Sequence, residues 1–328
     1  MVRTAAQSYI KYGYEGTYAG STTCDKKFGL RDSLSSWNIG NNRIDLAALN
    51  SITYQSFAYG QQRGEFSVDF VLNNPWILGG FFGAPSTTGS SNPYTHTYPH
   101  ASNGINVQPR TFQMEVGFNA SDSSGGDIVR TLKGCIANTL NISTSIGSTV
   151  DCSLSASYGK EDAPATTFGS APTEPTLDHK AFTFAHAQLK YGGSVVAQVQ
   201  DLSISLNQNT DLLYGLNSVQ AVDSYRQIFD ITGNFKASLL NKTILEDLLE
   251  QVGKGTSSGE SEVVGGSPEL EILFNKSANE QIKITGTGLS PSQVSIEGIQ
   301  PNQPVFENIE WRIKSLTIEA KNNQSAEE

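Results

Sequence analysis

The chain carries the same pattern twice. The stretch SLSSWNIGNNRIDLAALNS (residues 33–51) runs alongside DLSISLNQNTDLLYGLNS (201–218), and NNPWILGGFFG (73–83) runs alongside NKTILEDLLEQ (241–251). Both blocks are displaced by 168 residues (201 against 33, 241 against 73), so they keep one register with little insertion between them. Chance similarity between short polar strand patterns is the competing explanation, and a shared register over two separate blocks favours a unit used twice. A duplicated unit without a catalytic motif suggests a part built for symmetric assembly.

At 328 residues the chain has length for two domains of ordinary size, each able to bury a core. Only 16% of residues are charged while Gly (31), Ser, Thr and Asn abound, the balance of a strand-and-turn protein. No run of 18 apolar residues occurs, and MVRTAAQSYIKYGYEG lacks the apolar core of a signal peptide, so a soluble chain made in the cytoplasm is expected. Three cysteines, Cys24, Cys135 and Cys152, are an odd number without metal-type spacing and read as free buried thiols, with a Cys135–Cys152 bridge as the alternative. A net charge of −10 and the lack of a Lys/Arg cluster argue against gripping nucleic acid, because gripping requires neutralised phosphates. The same charge suits a surface past which DNA slides, and equally suits ordinary acidic solubility.

Along the chain, residues 1–32 hold aromatic, Gly-rich sequence (Tyr9, Tyr12, Tyr14, Tyr18, Phe28) that reads as an extended arm. In EFSVDFVL (65–72), Phe66, Val68, Phe70 and Leu72 alternate with Glu65, Ser67 and Asp69, the mark of a half-buried strand. Its counterpart DITGNFKASLL (230–240) places Ile231, Phe235, Ala237 and Leu239 in the apolar role. A helix follows each. In the later copy Thr243 and Glu246 form a capping box ahead of Ile244, Leu245, Leu248, Leu249 and Val252, and Gly253 ends the run. In the earlier copy Asn74-Pro75 starts a helix that Gly79 and Gly80 keep short.

Long polar loops come next, 84–110 and 253–267, and insertions of that size at matching places favour function. Strands resume as TFQMEVGFN (111–119) and PELEILFN (268–275). A hairpin over 139–158 turns at Gly147-Ser148, and 307–320 reads as the last strand. The resulting division is an arm (1–32), a first unit (33–159), a Pro/Ala/Thr-rich linker (160–182), a second unit (183–321) and a frayed tail (322–328).

Chemistry-bearing groups are sparse. His96 and His100 lie four apart in a Pro- and Gly-rich loop without a helix to align them, so exposed loop histidines are favoured over a metal site. His179 and His186 have no adjacent nucleophile motif and read as structural or exposed. Gly253-Lys254-Gly255 follows a helix, where its dipole opposes an anion, so it reads as a helix stop rather than a phosphate loop. Glu246, Asp247 and Glu250 form a solvated helix face. No catalytic, cofactor or metal constellation emerges, and no enzyme is expected.

The order SYIKYGYEGTYAG, KKFGL (26–30), a strand such as VQDLSISLNQN, the strand-to-helix passage FKASLLNKTILEDLL, a flexible loop and a final hairpin resembles the tail tube proteins of long-tailed bacterial or archaeal viruses, from about residue 8 to about 321. The resemblance implies a mainly β chain of two tandem β-sandwich or half-barrel units, each with one short α-helix, plus the N-terminal extended arm. It implies a structural virion protein whose subunits join edge to edge into rings lined by a continuous β-barrel, stacked into the hollow tube of a siphovirus-like tail that conducts DNA at ejection. Copies of itself, a tape-measure protein and tail-terminator or baseplate proteins are the implied partners. The implied location is the virion tail, assembled in the host cytoplasm, with no membrane and no cofactor.

Members with one tube unit form six-fold rings. Two units per chain therefore predict a homotrimer with pseudo-six-fold symmetry, a hexamer of chains being the alternative. Ring closure also protects exposed strand edges. The candidate lumen-lining strands run from Leu34 to Gly40, Phe66 to Leu72, Leu202 to Gln208 and Ile231 to Leu239. The candidate ring-stacking residues are Ser86, Tyr94, Tyr98 and Asn103 in one loop and Gly255, Glu260 and Val264 in the other, with the arm 1–29. On this reading, deleting 86–103 leaves folded protein that no longer polymerises. A carbohydrate-binding or adhesive two-domain β-sandwich is the competing class, supported by the loop aromatics Tyr94 and Tyr98.

Overall fold

The computed structural model describes residues 8–47, 49, 52–98, 108–119, 127–166, 180–196, 198–238, 269–301 and 304–325. In order these form β1 (Ser8–Tyr14), β2 (Leu30–Asn41), β3 (Ile44–Ala47), β4 (Tyr54–Ala58), β5 (Gln62–Val71), a 3-10 turn (Trp76–Leu78) running into the helical turn α1 (Gly79–Phe82), β6 (Ser86–Thr88), β7 (Tyr94–Tyr98), β8 (Phe112–Phe118), β9 (Ile128–Ser145), β10 (Asp151–Tyr158) and β11 (Lys160–Glu161). The chain continues through a 3-10 turn (Phe184–His186), β12 (Ala187–Tyr191), β13 (Ser194–Val195), β14 (Val199–Asn207), β15 (Thr210–Tyr214), β16 (Ala221–Arg226), β17 (Asp230–Ser238), β18 (Leu270–Ser277), β19 (Glu280–Thr287), β20 (Ser290–Glu297), β21 (Phe306–Ile313) and β22 (Ser315–Asn322).

One antiparallel sheet runs through both halves in the order β2-β5-β10-β9-β14-β17-β21-β20. Period-2 alternation gives it one apolar and one polar face. Phe66, Val68, Phe70, Leu140, Ile142, Leu154, Leu202, Ile204, Leu206, Ile231, Phe235, Ile309 and Trp311 are all buried on the apolar face. Two outer sheets cover that face: β1-β8-β9-β11 over the first half, and β13-β12-β18-β19-β22-β7-β6 over the second. The buried side chains of both halves merge into one contiguous core.

The pairing scheme itself repeats. In the first half β8 pairs with β1 and with the start of β9, and β11 lies on the other side of β9. In the second half β18 pairs with β12 and β19, and β22 lies on the other side of β19. The long β9 thus corresponds to β19 and β20 together. The chain passes from outer to inner sheet at Gly134 (φ 62°) and at Gly288 (φ 69°), where a left-handed backbone admits glycine without strain. Each half of the inner sheet also has a bulge at the same place, between Ser155 and Ala156 where β10 meets β9, and between Pro291 and Gln293 where β20 meets β21.

Several expectations are corrected. Residues 8–32 are not an extended arm: β1 pairs with all of β8, and Tyr9, Tyr12, Tyr14 and Phe28 are buried, Tyr12 stacking on Phe28 at 4.6 Å. Aromatic side chains in Gly-rich sequence supplied the core here, not a free surface. The segment 160–182 is not wholly a linker, because β11 and Ala165 pair with β9, and Phe182 is buried with its amide donating to the Leu72 carbonyl (3.1 Å). The predicted last strand breaks at Lys314 into β21 and β22, one in each layer. Asn322 ends β22, and Gln324 is buried with its Oε1 accepting from Trp76 Nε1 (3.1 Å), so the tail is anchored at least that far.

The loop 84–110 also departs from expectation. Its residues 86–98 form the β6–β7 hairpin, which extends the second half's outer sheet by pairing with β22. The short first helix is as the glycines foretold, a 3-10 turn and one α-turn, entirely buried. The predicted helix over 243–252 and the loop 253–267 lie outside the described residues.

Candidate assembly interface

Among the described residues the two ends of the inner sheet, β2 and β20, are paired on one side only. Both expose apolar side chains on the core-facing side: Ile39 on β2 is 45% exposed and Ile296 on β20 is 42% exposed. An unpaired strand with uncovered Ile side chains is a template for another chain.

The polar face of this sheet is built from Ser, Thr and Asn, with Glu65, Asp69, Asp151, Asp201, Asp230, Glu297 and Glu310 against Arg63, Lys236 and Arg312. Each of those cations is held by a carboxylate: Arg63 Nε by Glu65 at 3.1 Å, Lys236 Nζ by Glu297 at 2.6 Å, and Arg312 Nε by Asp230 at 2.9 Å. The face therefore presents short hydroxyls and amides, surplus negative charge, and cations whose charge is already neutralised by a neighbour.

Two hairpins project from the sheet, β3–β4 and β15–β16. Leu49 and Leu216 begin the same sequence triplet, Leu-Asn-Ser, and Leu49, Ile52 and Leu216 are fully exposed. The second hairpin lies back against the first half. The Tyr214 hydroxyl donates to the Gln62 carbonyl (2.6 Å), the Gln62 amide donates to Val219 O (2.7 Å), and Arg63 meets Asp211 at 2.9 Å. Leu212 and Ala221 pack there on Ile136, with Tyr18 and Tyr214 at the margin. The first hairpin leaves Ile44, Leu46, Tyr54, Phe57 and Tyr59 exposed.

The residues singled out for lumen and stacking fall differently. Phe66, Leu72, Leu202 and Ile231 are buried and Leu34 is half-buried against the core, so the named strands do belong to the inner sheet but the polar face is carried by their alternate neighbours. Gly40 is exposed near the end of β2, and Gln208 is buried, its Nε2 donating to Gly80 O (3.0 Å) and Ala137 O (3.1 Å). Ser86 is exposed and Tyr94 half-buried, both on the β6–β7 hairpin. Tyr98 is fully buried with its hydroxyl donating to Pro75 O (2.9 Å), which removes it from any stacking contact and from glycan capture. Asn103, Gly255, Glu260, Val264 and Leu239 lie outside the described residues. Hairpin-tip residues went unnoticed in sequence although the repeated Leu-Asn-Ser triplet marked them.

Two described histidines make structural contacts. His96 is buried, not loop-exposed: one ring nitrogen lies 2.8 Å from Thr87 Oγ1, the other 2.9 Å from Asn322 Oδ1, and the ring meets Trp76 edge-on at 4.9 Å. His186 caps its own turn, accepting from the Thr183 amide at 3.0 Å; His100 and His179 lie outside the described residues. Cys24, Cys135 and Cys152 are free and buried, and burial raises all three thiols, that of Cys24 to about 12. Glu307 is buried on β21 with Oε2 unpartnered, and desolvation raises its pKa. Among the described residues no group of three His, Cys, Asp or Glu side chains is placed to hold a metal, and no helix is long and apolar enough to cross a membrane.

No curated protein matches the chain. The family model described as phage tail tube protein matches residues 6–313, which is nearly the whole length and includes both edge strands and both hairpins. This chain belongs to the phage tail tube protein family, as a structural component of the virion tail.

Proposed function

We propose that three copies of this chain close into a ring by pairing β2 of each with β20 of the next, and that rings stack into the tube through which viral DNA leaves. The observation that carries the reading is an eight-strand path continuous across both halves whose two end strands, among the described residues, are each paired on one side, with uncovered Ile side chains. Two tandem tube units, β1–β11 and β12–β22, account for the repeated pairing scheme. Three chains then supply six units.

Dimensions favour three. Three sheets of eight strands spaced ~4.8 Å apart give a circumference of ~115 Å and a backbone diameter of ~37 Å, which strand tilt widens further. That leaves room for duplex DNA after side chains are added. The polar face lines this lumen. Its surplus carboxylates and already paired cations keep phosphates from binding, since adhesion would require cations free to release counterions.

The hairpin tips, six per ring with the same exposed Leu, point to ring-to-ring contact, in place of the loop 84–98. As for a siphovirus-like tail, a tape-measure protein fills the lumen during assembly in the host cytoplasm, and terminator and baseplate proteins cap the ends. Negative-stain imaging of concentrated protein, with mass measurement of isolated rings, tests the reading. Tubes whose rings contain three chains are expected; six chains per ring, or a monomer at all concentrations, refutes it.

A further inference from the structure

We infer that the junction inside each chain is a physical copy of the junction between chains, so that the interchain strand register and the seat of the exposed hairpin can both be read from the β9–β14 contact. This inference rests on the ring reading and specifies the surface that reading requires.

Inside the chain, β14 pairs antiparallel with β9 so that Leu206 faces Leu140 and Ile204 faces Ile142, all buried. The repeated scheme assigns each of them a counterpart. The matching bulges and glycine corners place β20 on β9 with a shift of 154, from Gly134 and Gly288, so Val294 stands for Leu140 and Ile296 for Ile142. The first strands match as Leu34 with Leu202. Beyond the β2 bulge between Leu34 and Ser36, Trp37 matches Ile204 and Ile39 matches Leu206. Transferring the internal pairing puts Ile39 of one chain opposite Val294 of the next, Asn38 opposite Ser295, and Trp37 opposite Ile296.

The side chains agree with this register. Ile39 and Ile296, which are 45% and 42% exposed, occupy positions whose internal counterparts Leu206 and Ile142 are 1% and 4% exposed. The residues left uncovered at the two edges are thus those that the internal junction covers. A slip of one residue would turn them to the lumen.

The hairpins follow the same logic. β15–β16 reaches back across the internal junction, where the Ala221 amide donates to Gly159 O (3.3 Å). By the same equivalence the exposed β3–β4 hairpin reaches back onto the second half of the neighbouring copy, with Tyr54 in the place of Ala221 and Lys314 in that of Gly159. The partner is a second copy of this chain, and the exposed apolar hairpin is half of a lateral clamp.

Paired cysteines test both contacts in assembled full-length protein. The double variant Asn38→Cys/Ser295→Cys, directly opposed on the polar face, should oxidise to a covalent closed trimer within disulfide reach. Asn38→Cys/Gln293→Cys and Asn38→Cys/Glu297→Cys, slipped by two residues, should crosslink at least ten-fold more slowly, and each single variant should not crosslink. Tyr54→Cys/Lys314→Cys should also yield trimers. If rings form but a slipped pair crosslinks fastest, or no pair crosslinks, the register is overturned while the tube reading stands. If neither rings nor crosslinks form with any variant or with the unmodified chain, both fail.

Discussion

Replacing Ile39 by Lys isolates the edge contact from the fold. Fully burying an Ile side chain stabilises by about 1.5–3 kcal/mol, and ring closure is expected to cover the 45% of Ile39 and 42% of Ile296 that the single chain leaves exposed. Each side chain then contributes ~1 kcal/mol to closure, ~2 kcal/mol per junction. Ile39→Lys removes its share and sets an ammonium at an edge that closes against Val294, where partial desolvation costs a further ~1–3 kcal/mol even with the stem packed and the head turned outward. The sum, ~2–4 kcal/mol, weakens each junction by ~30- to 1,000-fold. A ring needs all of its junctions, so the critical concentration rises steeply. The isolated chain loses little, because the position is already nearly half in solvent, and its melting temperature should fall by no more than a few degrees. Sedimentation velocity over a concentration series, beside thermal unfolding of the same samples, separates the two effects. A variant that forms rings at the wild-type concentration refutes the reasoning, as does one that fails to assemble only because it has unfolded.

Three further outcomes are expected. Gly233→Val places a Cβ 2.3 Å from the Trp311 ring and 2.4 Å from the Ser203 carbonyl oxygen, so urea unfolding should show a loss of ~2–3 kcal/mol; an unchanged midpoint would contradict the packing. Deleting 86–103 removes β6, β7, His96 and Tyr98, so the product should aggregate or melt at least 10 °C lower; a cooperative transition at the wild-type temperature would restore the view of this segment as a dispensable stacking loop. Glu307 has its pKa raised above 4.5 by burial, so its contribution to stability is fully present below the ordinary carboxylate value, falls as pH rises above that value, and is lost once pH has passed through the raised one. The melting temperature of Glu307→Gln relative to wild type should therefore climb as pH rises above the ordinary carboxylate value and stay level below it; a difference independent of pH would show that the carboxyl is not a desolvated charge.

Local patterns were legible where one strand carries its own signal. The alternation in EFSVDFVL gave β5 and its buried face, and the glycines after Trp76 gave a short helix, which the structure limits to one turn. Misreadings occurred where a segment's partner is far away in sequence. The arm became β1 because its partner β8 lies about a hundred residues on, and the polar stretch around Tyr94 became strand because β22 lies more than two hundred residues on. Period-2 signals are weak in five-residue strands, and Ser, Thr and Tyr suit either a loop or a half-covered strand.

The candidate site divides in the same way. The repeat, visible as two blocks in one register, raised by itself the expectation that the chain supplies two of something, and the low charge with abundant Gly, Ser, Thr and Asn pointed to strands and turns. Which residues form the edges did not follow, because an edge is a strand that lacks a neighbour, and that is a property of the completed sheet. Only the tertiary structure put β2 and β20 at opposite ends, left Ile39 and Ile296 exposed there, and laid β15–β16 over the first half while leaving the apolar side chains of β3–β4 exposed. Side-chain pattern decides which face of a strand meets the core; long-range backbone pairing decides which strands are left with a bond to offer.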